Sequence, residues 1–223
     1  MSQSLFIKIK QPVAAWLIKK IQRFGPHKVR VSGGLYEISE HVFNPKYYYT
    51  SEFMARHIIL SDKDSVLDIG TGSGIQAITA GKRASSVVAV DINPEAVSFA
   101  RKNVKSHGLE DVVSVIEGDL FSNIAPEAMF NVILFTPPYL EGRPDTPFDH
   151  ALFDENKTLI KRFFGEAGRH LKPAGYVQML YSSIADPERT LKIITDLGWD
   201  HKLVASQKTG TEHFLIYRLT PQE

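Results

Sequence analysis

The strongest constraint on the fold is a glycine-rich loop that joins a predicted strand to a predicted helix. Residues Ser65–Ile69 form a short apolar run, and Gly70, Gly72 and Gly74 follow it directly. A short apolar run bounded by turn residues is typical of a buried strand. Glycine permits both a tight turn and the close approach of a ligand to the backbone. With a helix predicted to begin near Ile75, this loop is a candidate ligand-binding site.

Strands and helices alternate from Thr50 onward. Apolar runs predict seven strands, over residues 65–69, 87–90, 112–116, 130–135, 176–180, 203–206 and 214–219. Helices are predicted over 52–60, from 75, over 94–107, over 157–171 and over 187–197, with Thr50 or Ser51 as the N-cap of the first. Such alternation implies parallel strands whose connecting helices cover both faces of the sheet. We therefore predict that residues 50–223 form a doubly wound α/β domain with a mostly parallel, seven-stranded sheet.

Residues 1–49 are predicted to form a basic N-terminal extension. The first 50 residues contain eight Lys and Arg against two Glu, a net charge of +6, whereas the remainder carries −5, so that the whole chain has +1. Such an asymmetry can mark a segment that faces a partner. The near-neutral total excludes a generally basic nucleic-acid-binding surface.

The extension is predicted to fold as one helix followed by a β-hairpin. Pro12 suits the first turn of a helix. Apolar residues then recur at helical spacing, at Val13, Leu17, Ile21 and Phe24. Residues 28–31 and 35–38 flank a Gly33-Gly34 turn and predict the hairpin. Because so small a segment buries little surface by itself, we expect its apolar face to dock on the main domain.

The basic extension has two interpretations at this stage. Its cations, together with Tyr47–Tyr49, would suit a substrate lid that meets RNA phosphates and stacks on bases. The simpler alternative is a solvated helix face beside a docked hairpin, and the modest charge favours it.

The composition excludes several kinds of chemistry. The chain has no cysteine, so a disulfide framework, a thiolate metal site and a cysteine nucleophile are excluded. Its eight histidines are scattered, and no carboxylate cluster has ligand spacing, so we predict no metal site. The apolar runs are far shorter than a membrane span, and lysines interrupt any candidate signal peptide. We therefore expect a cytoplasmic protein.

Asp91 is the second candidate for ligand binding. It ends the strand predicted over 87–90, where a carboxylate can accept hydrogen bonds from both hydroxyls of a ribose. A dinucleotide loop would place its third glycine at position 75, but that residue is Ile75 and the third glycine is Gly74. The spacing argues against a pyrophosphate site. Taken alone, Asp91 is equally consistent with a turn residue or a helix cap, but together with the glycine loop one strand earlier it favours the ribose role.

Two further motifs follow the third and fourth strands. Gly118-Asp119-Leu120 places a carboxylate where it could accept from an adenine amino group, although a simple turn is the better explanation of this motif alone. Thr136-Pro137-Pro138-Tyr139 contains consecutive prolines, which end strand pairing and stiffen the loop. The carbonyls of such a loop can accept from a substrate NH2 group, and Tyr139 can stack on a planar group.

The glycine loop, Asp91, Asp119 and the Pro-Pro-Tyr loop follow one another along the chain in the order typical of the class I S-adenosylmethionine-dependent methyltransferases. Residues 50–220 therefore resemble this family. Thr136–Tyr139 is similar to the Asn/Asp-Pro-Pro-Tyr signature of the group that contains the methyltransferase-small-domain proteins and the release-factor glutamine methyltransferases. Members of this group methylate planar amino or amide nitrogens. The resemblance implies a Rossmann-like fold, S-adenosylmethionine as cofactor with S-adenosylhomocysteine as product, and a protein or RNA substrate in preference to a small molecule.

The resemblance also implies roles for individual residues. The methionine part of the cofactor would lie over Gly70, Thr71, Gly72 and Gly74. Asp91 would bind the ribose, and Ile92 would contact the adenine. The edge of the adenine ring would be held by Asp119 and Leu120. Thr136, Pro137, Pro138 and Tyr139 would hold the target nitrogen near the sulfonium methyl. Asp68 would belong to the cofactor site or fix the glycine loop as a buried acceptor. Ser51 and Glu52 match a Thr-Glu pair near the cofactor of the glutamine methyltransferases.

Thr136 departs from the signature, because Asn offers an acceptor and an NH2 donor whereas Thr offers one hydroxyl. Glutamine is therefore one of several methyl acceptors that the sequence allows. The candidate general bases downstream are Asp145, Asp149 and His150, although a polar lid loop is the simpler explanation for these residues. The alternatives are a small-molecule N- or O-methyltransferase and a cofactor-binding module without catalysis.

Overall fold

The computed structural model of the chain describes residues 3–222. Its strands are β1 (Lys28–Val31), β2 (Gly34–Glu37), β3 (Ser65–Ile69), β4 (Ser86–Asp91), β5 (Val113–Glu117), β6 (Phe130–Phe135), β7 (Leu171–Ser182), β8 (Trp199–Thr209) and β9 (Glu212–Pro221). Its α-helices are α1 (Gln3–Arg23), α2 (Tyr49–Arg56), α3 (Ile75–Gly81), α4 (Pro94–Ser106), α5 (Thr158–Ala167) and α6 (Pro187–Asp196).

One sheet of seven strands organises the molecule, in the order β5-β4-β3-β6-β7-β9-β8. The neighbours from β5 to β7 pair in parallel, and β9 pairs antiparallel with both β7 and β8. The predicted doubly wound, mostly parallel sheet is confirmed. Because β4 and β6 lie on opposite sides of β3, the strand order reverses there. A crevice forms outside the carboxyl ends of the strands at such a reversal.

Each face of the sheet packs into its own apolar cluster. Val66 and Val132 point to one face, where they pack with α3 and α4. Leu67 and Ile133 point to the other face, where they pack with α5 and α6. Successive strand residues alternate between the two clusters, as the period of two requires. Burial on both faces explains why these strands are short, continuous apolar runs.

The β1–β2 hairpin docks on the α4 side of the sheet, as expected for an apolar face of the extension. Val29, Val31 and Tyr36 are buried in the same cluster as the sheet residues. Asn103 of α4 fixes the hairpin, because its Oδ1 accepts from the Glu37 N–H at 2.7 Å and its Nδ2 donates to the Glu37 carbonyl at 2.9 Å.

Helix α1 contradicts two predictions. It begins at Gln3, so Pro12 lies inside it rather than in its first turn. The predicted docking stripe of Val13, Leu17, Ile21 and Phe24 is exposed. The opposite face packs on the domain, where Gln11 donates to the Ile184 carbonyl at 3.0 Å and Gln22 donates to the Val42 carbonyl at 2.7 Å. This face combines the two amide contacts with an apolar one, because Ala15 and Ile18 pack in a cluster with Leu140, Phe148 and Leu152.

Two other helices, α2 and α5, have boundaries that differ from prediction by three or four residues. Helix α2 begins at Tyr49, three residues earlier than predicted, and ends at Arg56, four residues earlier than predicted. Its N-cap is therefore neither Thr50 nor Ser51. The chain leaves the helix because Gln178 holds the next segment, donating to the His57 carbonyl at 2.8 Å and accepting from the Ile59 N–H at 3.1 Å. Helix α5 ends at Ala167, and residues 168–170 continue as a 3-10 turn. Within residues 3–222, no helix is long and apolar enough to cross a bilayer.

Candidate active site

The glycine loop after β3 adopts backbone angles that favour glycine. Gly70, Gly72 and Gly74 have φ values of +75°, +55° and +84°. A Cβ atom on Gly70 or Gly72 would meet no atom within 4 Å, so their backbone borders open space. A Cβ on Gly74 would lie 3.4 Å from Ala100, and this glycine therefore serves the contact between α3 and α4. The loop presents bare backbone to a ligand.

Asp68 holds this loop from below. Its buried Oδ2 accepts from the Thr71 hydroxyl at 2.6 Å and from the Ala77 N–H at 3.1 Å. Burial raises the pKa of Asp68 to about 7, against the opposing effect of these two hydrogen bonds. The contacts match the hypothesis of a buried acceptor that fixes the loop.

Asp91, the last residue of β4, connects the loop to the neighbouring strand. Its Oδ2 accepts from the Gly72 N–H at 2.8 Å, and its Oδ1 accepts from the Asn93 N–H at 2.9 Å. Burial raises the pKa of Asp91, and the two backbone hydrogen bonds oppose this increase. The carboxylate therefore has a fixed orientation at the edge of the sheet.

A single cavity of about 230 Å³ runs along the carboxyl ends of β3, β4 and β6. It brings together twelve of the predicted site residues, namely Asp68, Gly70, Thr71, Gly72, Asp91, Ile92, Asp119, Leu120, Thr136, Pro137, Pro138 and Tyr139. Gly74 lies behind the loop and does not line the cavity. Ser51 lines it, whereas Glu52 does not, and Glu52 instead accepts from Arg56 at 2.6 Å.

The far end of the cavity contains a cation that the sequence analysis did not identify. Arg162 of α5 lines the cavity and donates to Asp119 Oδ2 at 2.7 Å. Leu120 follows with a φ of +53°, and its side chain is buried. No local motif marks Arg162, because its role depends on the way that α5 packs over β6.

The Thr-Pro-Pro-Tyr loop borders the cavity after β6. Pro137 and Pro138 are buried, and Thr136 Oγ1 is buried without a hydrogen-bond partner among the described residues. Tyr139 packs edge-on against Tyr181, with ring centroids 6.2 Å apart, and burial raises its pKa. A buried hydroxyl without a partner costs free energy. Thr136 Oγ1 is therefore available to a ligand group.

Two loops roof the cavity. His41, Val42 and Phe43 follow the hairpin, and the short 3-10 helix Pro147–Ala151 follows the Thr-Pro-Pro-Tyr loop. Asn93 donates to the His41 carbonyl at 2.9 Å and so fixes the first loop. Nothing in the local sequence of residues 41–43 signals this contribution, which arises from the docking of the hairpin.

The candidate bases occupy different positions. His150 lines the cavity, whereas Asp145 and Asp149 do not. Asp149 pairs with Lys19 of α1 at 2.6 Å, and its Oδ2 accepts from the Thr146 N–H at 3.2 Å. Burial acts to raise the pKa of Asp149, but the hydrogen bonds from Lys19 and Thr146 outweigh it and lower the pKa. Among the described side chains, no three His, Asp or Glu residues are grouped as metal ligands.

Comparison with known proteins identifies the family. The model of the methyltransferase small domain matches residues 42–208. The chain is 33% identical to a putative protein N5-glutamine methyltransferase of Methanocaldococcus jannaschii, over 78% of this chain and 91% of that protein. It is 35% identical to the release factor glutamine methyltransferase of Koribacter versatilis, over 64% of this chain and 58% of that protein.

The fold comparison agrees with the sequence comparison. The crystal structure of the tRNA m1G37 methyltransferase of Methanocaldococcus jannaschii superposes with a TM-score of 0.62 at 17% identity, over 88% of this chain and 56% of that chain. This likeness concerns the fold alone. The family match covers most of the α/β domain. The chain belongs to the methyltransferase small domain family and is a methyltransferase.

Proposed function

We propose that the chain transfers a methyl group from S-adenosylmethionine to the side-chain amide nitrogen of a protein substrate. One observation carries the proposal. The cavity joins a glycine loop and a ribose-type carboxylate to a Pro-Pro-Tyr loop whose Thr136 Oγ1 is buried without a partner among the described residues. The named relatives act on glutamine in proteins. Because the chain spans little more than half of the release factor enzyme, their substrates are carried over here as part of the proposal.

The cavity residues fit the cofactor. The bare backbone of Gly70 and Gly72 suits the methionine part, and Asp91 retains lone pairs for ribose hydroxyls. Ile92 is partly exposed and suits contact with the adenine. Asp119 and Leu120 suit the adenine edge, with Arg162 holding the Asp119 carboxylate. When bound, the cofactor supplies a methyl group already activated by its sulfonium.

The chain's own contribution is alignment and selective hydrogen bonding. An amide nitrogen is a poor nucleophile, because its lone pair is delocalised. Acceptors aimed at its N–H groups stabilise the positive charge that develops during transfer. Thr136 Oγ1 and the Pro137 carbonyl are the proposed acceptors, and Tyr139 forms the wall beside them. Fixed placement of the two reacting groups supplies much of the remaining acceleration.

We propose that the two roof loops exclude water from the cavity. His41, Val42 and Phe43 line it from the loop after the hairpin, and Pro147, His150 and Ala151 line it from the short 3-10 helix. In this proposal, residues 1–49 form an extension that supports the roof, and residues 50–223 form the methyltransferase domain. His150 lines the cavity and is the candidate acceptor for the proton that the methylated nitrogen releases.

Two of the eight cations of the extension already pair with carboxylates, which reduces the charge available to an RNA backbone and favours a protein substrate. Lys19 pairs with Asp149 at 2.6 Å, and Lys28 pairs with Glu37 at 2.6 Å. Cations already neutralised by carboxylates contribute little to phosphate binding. The relatives that match in sequence are named for protein substrates as well.

The test combines binding with transfer. Calorimetry should detect S-adenosylmethionine binding, and radiolabelled methyl groups should enter a cell extract in material that protease degrades and nuclease does not. Hydrolysis of the labelled protein should release N5-methylglutamine or its breakdown product methylamine. Label that nuclease removes would contradict the protein substrate, and an absence of cofactor binding would contradict the whole proposal.

A further inference from the structure

Helix α1 has an inverted polarity. The face that packs on the protein contains Gln11, Ala15, Ile18 and Gln22, two of which are amides bonded to loop carbonyls. The face that meets solvent contains the large apolar side chains of Val13, Trp16, Leu17 and Ile21, and Phe24 follows directly after the helix. The exposed fractions of these five side chains are 44–78%. A helix on the surface of a globular domain usually has the opposite arrangement.

The exposed side chains form one continuous stripe. At 3.6 residues per turn and a rise of 1.5 Å per residue, the four members within α1 fall in an arc of about 140° and extend for about 12 Å along the axis, with Phe24 just beyond the helix end. Single exposed apolar side chains are ordinary, but a contiguous patch is typical of an interaction site. Trp16 and Phe24, which are 59% and 78% exposed, belong to the class of side chains that anchors protein interfaces.

Two cations lie on this stripe. Lys20 falls inside the arc, with its Nζ 4.9 Å from the centre of the Trp16 ring, and the Arg23 guanidinium lies 5.9 Å from the centre of the Phe24 ring. The sequence of α1 contains no Asp or Glu. A partner that covers the stripe must therefore supply carboxylates as well as apolar side chains.

We propose that the stripe docks an acidic amphipathic segment of a partner protein, with apolar side chains that cover Trp16 and Phe24 and a carboxylate that meets Lys20. This helix-in-groove type of contact uses anchors at i, i+3, i+4 and i+7, which is the spacing of Val13, Trp16, Leu17 and Lys20. The family match begins at residue 42, so the surface lies outside the part of the chain that identifies the family. The inference is independent of the proposed substrate.

The charges argue against the two other occupants. In a symmetric pairing of two copies through α1, the partner helix would offer no carboxylate to Lys20 or Arg23, because α1 contains none. In a bilayer, a helix that lies on the surface keeps its cations on the polar flanks. Lys20 instead lies within the apolar arc, where burial among acyl chains would be costly and pairing with a protein carboxylate would not.

Trp16 itself provides the readout. The chain has two tryptophans, and the other, Trp199, is 3% exposed. Titration of the full chain with a synthetic helical peptide that has a leucine stripe flanked by glutamates should shift the Trp16 emission to shorter wavelength. It should also reduce quenching by acrylamide. The same peptide with lysines in place of glutamates should bind more weakly by about tenfold or more.

Variants assign the effect to this surface. Lys20→Glu should reverse the preference between the glutamate and lysine peptides, and Leu17→Ser should abolish binding of both. Leu203→Ser is the matched control, because Leu203 is 49% exposed on β8, and it should bind like the original chain. These positions are at the surface, so the variants are expected to fold.

Four outcomes would overturn the proposal. Equal binding of the two peptides would indicate a sticky apolar surface without charge selection. A dimer in sedimentation that Leu17→Ser dissociates would identify a second copy as the occupant. A Trp16 shift with phosphatidylserine vesicles and with neither peptide would identify a membrane. No response to any of these probes would show that the stripe is not a docking surface.

Discussion

The backbone N–H of Gly72 donates to Oδ2 of Asp91 across 2.8 Å, which links the loop after β3 to the end of β4. The other oxygen of the same carboxylate accepts from the Asn93 N–H at 2.9 Å. Each carboxylate oxygen can accept more than one hydrogen bond. Two ribose hydroxyls can therefore bind Asp91 without breaking either contact, and the loop already has its shape before a ligand arrives.

Asp91→Ala should weaken S-adenosylmethionine binding by roughly 1–3 kcal/mol, because the ribose loses its acceptor and the loop loses its anchor. Calorimetry measures the change. Glu127→Ala, which removes an exposed carboxylate elsewhere, is the control and should bind normally. Unchanged affinity in Asp91→Ala would rule out the ribose role.

Gly72→Ala tests whether the bare loop backbone is needed for binding. The φ of +55° makes alanine unfavourable by about 1–2 kcal/mol in unfolding free energy. Gly210→Ala is the matched control, because Gly210 has a φ of +60° and a Cβ added there would meet no atom within 4 Å. Gly210 lies in the turn between β8 and β9, away from the cavity. We expect similar destabilisation in both variants and loss of cofactor binding in Gly72→Ala alone. Equal affinities would show that the added methyl does not meet the ligand.

The sequence was sufficient to predict the carboxyl edge of the sheet. Buried parallel strands are short apolar runs, and the residue after each run is placed at the same edge by the topology. Asp91 and the loop that begins at Thr136 therefore lie on one cavity with the glycine loop, as their positions in the chain suggested.

Other contributions depend on tertiary contacts that leave no local signal. Asn103 looks like an ordinary helix residue, but it bonds the hairpin and donates to the Ser73 carbonyl at 2.8 Å. Arg162 becomes a site residue only because α5 packs beside Asp119. The apolar period of α1 predicted the wrong buried face, because periodicity identifies a stripe and does not say what covers it.

Thr136→Val should separate catalysis from stability. Valine has nearly the shape of threonine, and it removes an Oγ1 that is buried and without a partner in residues 3–222. We expect the melting temperature to stay the same or rise, cofactor affinity to stay unchanged, and kcat/KM to fall about tenfold or more through loss of an acceptor. Thr136→Ser retains the hydroxyl and should keep most of the activity. Full activity in Thr136→Val would exclude the acceptor role.

The stability of the chain should show a pH dependence that comes from Asp68. Its pKa is raised to about 7 in the folded state, while an unfolded Asp titrates near about 4. Between these values the folded state keeps a proton that the unfolded state has lost, so this residue lowers stability as pH rises from 4 to 7. Denaturant unfolding measures the free energy of unfolding at pH 5 and at pH 8. The difference between these two free energies should be smaller for Asp68→Asn than for the original chain. An identical difference would contradict the assignment.

The ion pair between Lys19 and Asp149 should control the roof of the cavity more than global stability. Asp149→Ala removes the partner of Lys19 and the acceptor for the Asp145 and Thr146 N–H groups. This loss should lower the free energy of local unfolding of the roof helix by about 1–2 kcal/mol. Hydrogen exchange should rise in residues 147–151, and cofactor affinity should fall. Lys19→Met removes the pair and the contact of the Lys19 ammonium with the Phe153 ring, and because Lys19 is half exposed its effect should stay under about 1 kcal/mol. If exchange rises while affinity is unchanged, the roof does not contribute to binding.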